Sequence, residues 1–406
     1  MGHILGMRIQ RFKALADVTL GRYKYDDKID ELPNFVCLIG PNGSGKSTVL
    51  DAFGFLADCL AENVEAACDK SHRGGFQKLR TQGETGPIQF DIYYRENEKA
   101  RPISYTLAID ERDGVPYVAT ESLRQRRKGQ KKGQPYPFLK LENSAGEAWS
   151  GESTGHEEGT ERVEVELDDP SRLGITTLGQ LKDHPRIVAF RSYIENWYLS
   201  YFVPDAARTR PPVGAQKHLN RTGDNIGNVV QYMERAHAKE FKKILDTIGK
   251  RIPGIRTIGH RKSEDGTLLL AFNETGYVNP FYQQSMSDGT LKMFAYLLLL
   301  ADPEPRSFIG IEEPENGLYH KLVERLADEL KTHAAERDTN VLVTTHSPYF
   351  VDALSPEQVW LIQRNEKGRA ELQRAADMPA IKELVAQGIP LGSLWYSNHF
   401  HERVGV

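Results

Sequence analysis

Gly40-Pro41-Asn42-Gly43-Ser44-Gly45-Lys46-Ser47, continued by Thr48, satisfies the pattern G-x-x-x-x-G-K-[ST] in full. Before it, Phe35-Val36-Cys37-Leu38-Ile39 is an unbroken apolar run, as expected of a strand covered on both faces. After it, Val49, Leu50, Phe53, Leu56, Ala57 and Leu60 recur at helical spacing. A strand, a glycine-rich turn and a helix in succession make a cradle for phosphate. The glycines let the backbone wrap closely and aim N–H groups at phosphate oxygens, and the N-terminus of the helix over 47–60 adds a favourable dipole. Lys46 brings a point charge to the β and γ phosphates of ATP, and the Ser47 hydroxyl can hold Mg²⁺.

Downstream, Phe308-Ile309-Gly310-Ile311 reads as a buried strand, Leu318, Leu322, Leu326 and Leu330 as one face of a helix, and Val341-Leu342-Val343 as a second buried strand. Such a unit implies a parallel pair joined by a right-handed crossover, so both strands end at one sheet edge. Ligands of such sheets bind at that edge, and Glu312, Glu313 and His346 should meet there. Adjacent carboxylates repel each other unless a cation or a bound water uses them. Glu312 would orient the metal or its water, and Glu313 would polarise the attacking water as a general base. His346 would donate to a γ-phosphate oxygen. Ser285-Met286-Ser287-Asp288-Gly289-Thr290 directly precedes a helix carrying Leu291, Phe294, Ala295, Leu298 and Leu299. On its own it reads as an N-cap and a turn.

The chain has 406 residues and a formal charge of −4, enough for two or three domains and without a global field to hold nucleic acid. Any DNA contact must come from a local patch. The longest apolar run, 295–301, falls far short of the roughly 18 residues of a membrane span. Met1-Gly2-His3-Ile4-Leu5-Gly6 has neither the charged start nor the apolar stretch of a secretory signal. Cys37, Cys59 and Cys68 are an odd count without metal-type spacing, as expected of reduced thiols packed in a cytoplasmic protein.

Residues 88–94, 103–109 and 116–120 are β-rich and separated by turn residues, which predicts an antiparallel meander. Composition then changes. Arg124, Arg126, Arg127, Lys128, Lys131 and Lys132 face only Glu121 within 121–135, whereas 142–169 holds ten acidic residues against Arg162. This predicts an exposed, partly mobile insertion whose two charged stretches attract each other, with the basic run as the candidate nucleic-acid contact. Residues 225–252 read as helix, with a stripe too short for a coiled-coil arm.

The four motifs in this order resemble the ATP-binding-cassette head, in the branch shared by SMC, RecF, OLD and the standalone prokaryotic "AAA family" ATPases. The match covers roughly residues 1–60 and 285–352, with Gly223-Asp224-Asn225-Ile226 similar to a short element that precedes the lobe II helices of this group. The resemblance implies an α/β P-loop fold with a mixed central sheet, an antiparallel meander and a helical lobe II. It divides the chain into a first half of lobe I (1–120), the charged insertion (121–185), lobe II with the signature (186–304), the second half of lobe I (305–375) and a tail (376–406). It also implies an ATP hydrolase that works as a head-to-tail dimer or higher oligomer, in which Ser287, Asp288 and Gly289 meet the γ-phosphate held by the partner's Lys46. Three departures stand out. Glu312 replaces the usual Asp, Met-Ser-Asp-Gly-Thr replaces Leu-Ser-Gly-Gly-Gln, and Gln77, Gln82 and Gln89 all remain open as the Q-loop glutamine.

The residues after His346 are too few for the Toprim nuclease domain fused to such heads in the OLD family, so the expected effector is a separate polypeptide. Standalone heads of this kind resemble the ATPase components of bacterial anti-phage modules. The implied partner is an effector such as a Toprim-type or HNH-type nuclease, with no membrane. The alternative is a RecF/SMC-like ATPase that binds DNA in repair or recombination. Ile389-Pro390-Leu391-Gly392-Ser393-Leu394-Trp395-Tyr396 could dock such a partner or pack on its own head.

Overall fold

A computed structural model describes residues 2–25, 28–150, 161–209, 214, 216–264 and 268–400. Two sheets sandwich the helix Lys46–Ala61. One is an eight-stranded antiparallel sheet, in spatial order Leu15–Gly21, His3–Phe12, Ile88–Arg95, Ile103–Arg112, Val115–Gln125, Tyr136–Glu142, Ala145–Ser150 and Glu161–Glu166. The other is six-stranded, in order Trp197–Ser200, Phe308–Glu312, Asn340–Thr345, Phe35–Ile39, Val359–Arg364 and Ala370–Arg374. Its first five strands run parallel and the last antiparallel.

The apolar run at 35–39 is explained by this arrangement. Val36 and Leu38 face the core shared with the sandwiched helix and the antiparallel sheet, while Phe35, Cys37 and Ile39 face a second core under the remaining helices. With both faces covered there is no polar alternation to read. Aromatic rings fill the first core. Phe53 stacks on Phe308 at 4.5 Å, and Phe12 meets Phe55 at 5.5 Å and Phe90 at 5.7 Å.

The expected exposed insertion is instead a continuation of the antiparallel sheet. The strand Val115–Gln125 runs through the boundary at 120, and Tyr136–Glu142 and Ala145–Ser150 pair onto it in turn. Leu123, Phe138, Leu139, Leu141 and Ala148 are buried in the first core. Charge on the solvent face dominated the composition and hid the apolar face. Two ion pairs lie in this extension, Arg162 with Glu147 between strands and Lys140 with Glu142 along one, and neither joins the basic run to the acidic stretch. In the basic run, the Arg126 and Arg127 guanidiniums lie over the rings of Tyr25 and Tyr136. Residues 151–160 of the acidic stretch lie outside the described residues.

The helix expected over 225–252 is two helices, Ile226–Ala236 and Ala238–Arg251, broken at His237. From Met233 to Phe241 a regular helix would turn through about 80° beyond two full turns. Yet Ile226, Val230, Met233, Phe241, Leu245 and Ile248 would all fall within about 120° of one face of a straight helix, so the apolar spacing reads as continuous and does not mark the break. Lobe II also carries a small antiparallel sheet, Ile255–Lys262, Leu268–Glu274 and Phe281–Tyr282, that the sequence reading left out.

Of the two readings of the C-terminal stretch, the structure shows packing on its own head. Leu391 and Leu394 are buried on the helix Pro348–Asp352, and the Gly392 N–H donates to Asp352 Oδ1 at 2.7 Å. A β-carbon at Gly392 would stand 2.0 Å from the Pro348 carbonyl oxygen, so only glycine permits this approach. Among the described residues no helix is long and apolar enough to cross a membrane.

Candidate active site

The strand Phe35–Ile39 is centred in the parallel sheet and ends at the edge where the strands Phe308–Glu312 and Asn340–Thr345 also end. That shared direction assembles the site. Gly40 leaves the strand where a β-carbon would stand 2.1 Å from the Ile362 carbonyl oxygen. Gly45 closes the turn at φ 119°, a conformation that disfavours any side chain, and the helix starts at Lys46 with its free N–H groups pointing into the loop. Ser44 Oγ is buried in this loop without a hydrogen-bond partner.

Lys46 is 5% exposed, and its ammonium donates to the carbonyls of Gly40 at 2.8 Å and Pro41 at 3.2 Å. Nζ also lies 2.7 Å from His346 Nε2. Burial lowers the Lys46 pKa, against the upward pull of Glu313, Glu315 and Glu312. The His346 imidazole is held below its ordinary value by burial and then by Lys46. It is therefore neutral near pH 7, and accepting from Lys46 at Nε2 assigns its proton to Nδ1.

Ser47 Oγ donates directly to Glu312 Oε1, which brings together the two groups expected to hold the metal. Glu313 follows with φ 41°, a left-handed conformation that costs a non-glycine residue energy. Its Oε1 lies 3.2 Å from His346 Nε2, and its Oε2 accepts from Asn316 Nδ2 at 2.9 Å. Glu315 is a site residue that the sequence reading gave no role. Its Oε1 accepts from Thr345 Oγ1 and from the His346 backbone N–H, both at 2.7 Å, and so clamps the loops after the strands Phe308–Glu312 and Asn340–Thr345 together.

At the signature, Ser287 caps the helix Asp288–Leu300 by accepting from the Thr290 N–H at 3.2 Å. Asp288 is ion-paired with Arg208, and Gly289 lies so close to the Gly317 carbonyl oxygen that a β-carbon would come within 2.8 Å. A pocket of about 470 Å³ beside Ser47 and Glu312 is also lined by Lys13, Asp51, Arg73 and Tyr201. Tyr201 comes from the end of the strand Trp197–Ser200, the parallel neighbour of Phe308–Glu312. None of Gln77, Gln82 and Gln89 lines that pocket. Gln77 bonds Glu111, Gln89 bonds Asp91, and Gln82 lines a separate depression of about 700 Å³. Lys13 borders both hollows and ion-pairs with Asp51 at 2.6 Å. No motif in the sequence singles out Lys13, Tyr201 or Arg73, because their place depends on strand order.

The family model described as "AAA domain, putative AbiEii toxin, Type IV TA system" matches residues 35–352. Among solved structures, the chain is similar to an SMC head bound to the C-winged helix domain of ScpA. The identity is 14%, 91% of this chain and 97% of that one are covered, and the TM-score is 0.55. It is also similar to an SMC head with an extended coiled coil, bound to the C-terminal domain of ScpA and derived from Pyrococcus furiosus. There the identity is 13%, the coverage 95% and 100%, and the TM-score 0.52. At these identities the likeness is one of fold. No curated protein matches the sequence at a significant level.

Proposed function

The chain belongs to this AAA-domain family, an ABC-type ATP hydrolase with an SMC-like head, and from that premise we propose that it acts on Mg-ATP in a head-to-tail dimer that controls a separately encoded effector. The observation that carries the reading is the convergence of Lys46, Ser47, Glu312, Glu313 and His346 at one sheet edge, from three segments far apart in sequence.

The residues present fit the nucleotide and its metal. The partnerless Ser44 hydroxyl, the N–H groups at the helix start and the Lys46 ammonium are donors for phosphate oxygens. The Ser47 hydroxyl and the Glu312 carboxylate are hard oxygen ligands of the kind Mg²⁺ takes alongside phosphates. When bound, the ion neutralises charge developing on the β and γ oxygens. Glu312, where the related heads usually have Asp, reaches Ser47 directly. Lys46 holds the phosphates, and Glu313 takes the proton of the attacking water. His346 faces the same centre through Nε2 and donates to a γ-phosphate oxygen once its proton sits there. The 700 Å³ depression beyond Lys13, with Gln82 and Thr81 on its wall, has room for the nucleoside.

Ser287, Asp288 and Gly289 complete the site of the partner subunit, so ATP closes the dimer and hydrolysis opens it. The effector is a nuclease of Toprim or HNH type, and the setting is bacterial anti-phage defence. The family description, which names a toxin and a toxin–antitoxin system, supports an ATPase paired with a toxic activity. A Glu313→Gln variant should bind ATP, hydrolyse it at least 100-fold more slowly and accumulate as dimer in light scattering. Undiminished turnover would refute the mechanism. Co-expression with the neighbouring genes, followed by identification of the co-purifying chain, tests the effector. A second reading, a DNA-binding ATPase of the RecF/SMC kind, is favoured by one observation, the exposure of Arg127, Lys128, Lys131 and Lys132 on the turn between two strands.

A further inference from the structure

The helix that begins at the signature carries a lysine on its buried side. Lys292 is 5% exposed, and its ammonium donates to the backbone carbonyls of Glu313 at 3.3 Å and Asn316 at 3.0 Å. Burial lowers its pKa, and Glu315, Glu313 and Asp288 only partly offset this. Holding an ammonium away from water against two neutral carbonyls is costly, and an apolar residue packs such a position more cheaply. The two carbonyls belong to the residues that define the general base. Glu313 carries the carboxylate, and Asn316 Nδ2 holds its Oε2 at 2.9 Å. The same helix touches this loop again through Gly289, packed against the Gly317 carbonyl. Signature turn and catalytic loop are thus joined at two points within one chain, and Glu313 is kept in its left-handed conformation between them.

We propose that Lys292 is a positioning residue that locks Glu313 to the signature helix, so that seating Ser287 and Gly289 on the partner's nucleotide sets the geometry of the chain's own general base. The inference rests on the dimer proposed above. It makes each site read the occupancy of the other through a rigid link about one helical turn long, and hydrolysis then requires both sites to be filled.

The test compares Lys292→Met, which keeps the length but removes the donors, with Lys292→Arg, which keeps donors, in steady-state ATP hydrolysis by the full chain. Displacing a catalytic group by about 1 Å costs on the order of 100-fold in rate. The methionine variant should therefore lose roughly that factor in kcat, with KM for ATP and the thermal midpoint little changed. Its Hill coefficient for ATP should fall from above 1 in the wild type to 1, and the arginine variant should recover part of both. Wild-type kcat and cooperativity in Lys292→Met would overturn the proposal. So would loss of ATP binding together with activity, which would reduce Lys292 to a structural role. If Glu313→Gln turned over normally, the assignment of the general base would be what failed, independently of Lys292.

Discussion

Nζ of Lys46 and Nε2 of His346, 300 positions apart in the sequence, lie 2.7 Å from each other. The charge of the phosphate loop thus rests on the imidazole of the last catalytic loop, and each group lowers the cost of burying the other as a neutral–cation pair rather than two cations. Burial and Lys46 both hold His346 below its ordinary pKa.

That direction sets the pH response. Protonating His346 would place a second positive charge beside Lys46. Activity that depends on neutral His346 is retained as pH falls through the ordinary histidine value and is lost only below it. The acid limb of kcat/KM for ATP should have its midpoint below pH 6.5. A midpoint above that value would contradict the arrangement.

Glu315 should matter nearly as much as the residues of the motifs. Glu315→Ala frees the Thr345 hydroxyl and the His346 N–H from their shared acceptor. We expect kcat to fall by about 10- to 100-fold while ATP still binds, since the phosphate loop is untouched. Equilibrium binding of a fluorescent ATP analogue, measured beside turnover, separates the two. Equal loss of binding and rate would show that the clamp serves the whole site.

Glu121 offers a stability test away from the site. Its carboxylate is fully buried, accepts from the Tyr105 hydroxyl and the Gly174 and Ile175 N–H groups, and has a pKa pushed up to about 7, mainly by burial. The folded state then keeps a proton that the unfolded chain gives up above its ordinary value of 4.5. Stability contributed by this group is present below pH 4.5 and is lost as pH rises to about 7, by at most about 3 kcal/mol. Denaturant midpoints at pH 5 and pH 8 should differ less in Glu121→Gln than in the wild type; an equal difference would place the pH dependence elsewhere.

The DNA reading makes its own prediction. Reversing Arg126, Arg127 and Lys131 to Glu should abolish a salt-dependent affinity for duplex DNA measured by fluorescence anisotropy. Should the wild-type protein show no such affinity at low salt, that reading falls and the ATPase mechanism is unaffected.

The contrast between what was and was not readable follows the range of the interactions. The phosphate loop was legible because such a loop is built of contiguous backbone, and Gly40, Gly45, Lys46 and Ser47 lie within eight consecutive residues. Glu312, Glu313 and His346 were legible one step further out, since buried parallel strands that share a direction must deliver their following residues to one edge. The strands at 136–150 were not, because Lys140, Glu142 and Glu147 on the outer face outweighed Phe138, Leu139 and Leu141 within. The break at His237 was hidden because the apolar residues on either side of it fall on one face of a continuous helix, so their spacing carries no mark of the break.

By itself, the sequence determined the glycine-rich turn, the parallel core beneath it and which carboxylates and imidazole follow its strands, all properties of neighbouring residues or of strand periodicity. Only the tertiary structure decided that Glu315 binds the loops after two of those strands together, that Tyr201 rather than a glutamine stands beside Ser47 and Glu312, that the tail closes on its own head, and that Lys292 ties the signature helix to Glu313. The reason is physical. A buried carbonyl or N–H pairs with whichever partner the fold brings within 3 Å or so, and local sequence pattern carries no record of which distant residue that is.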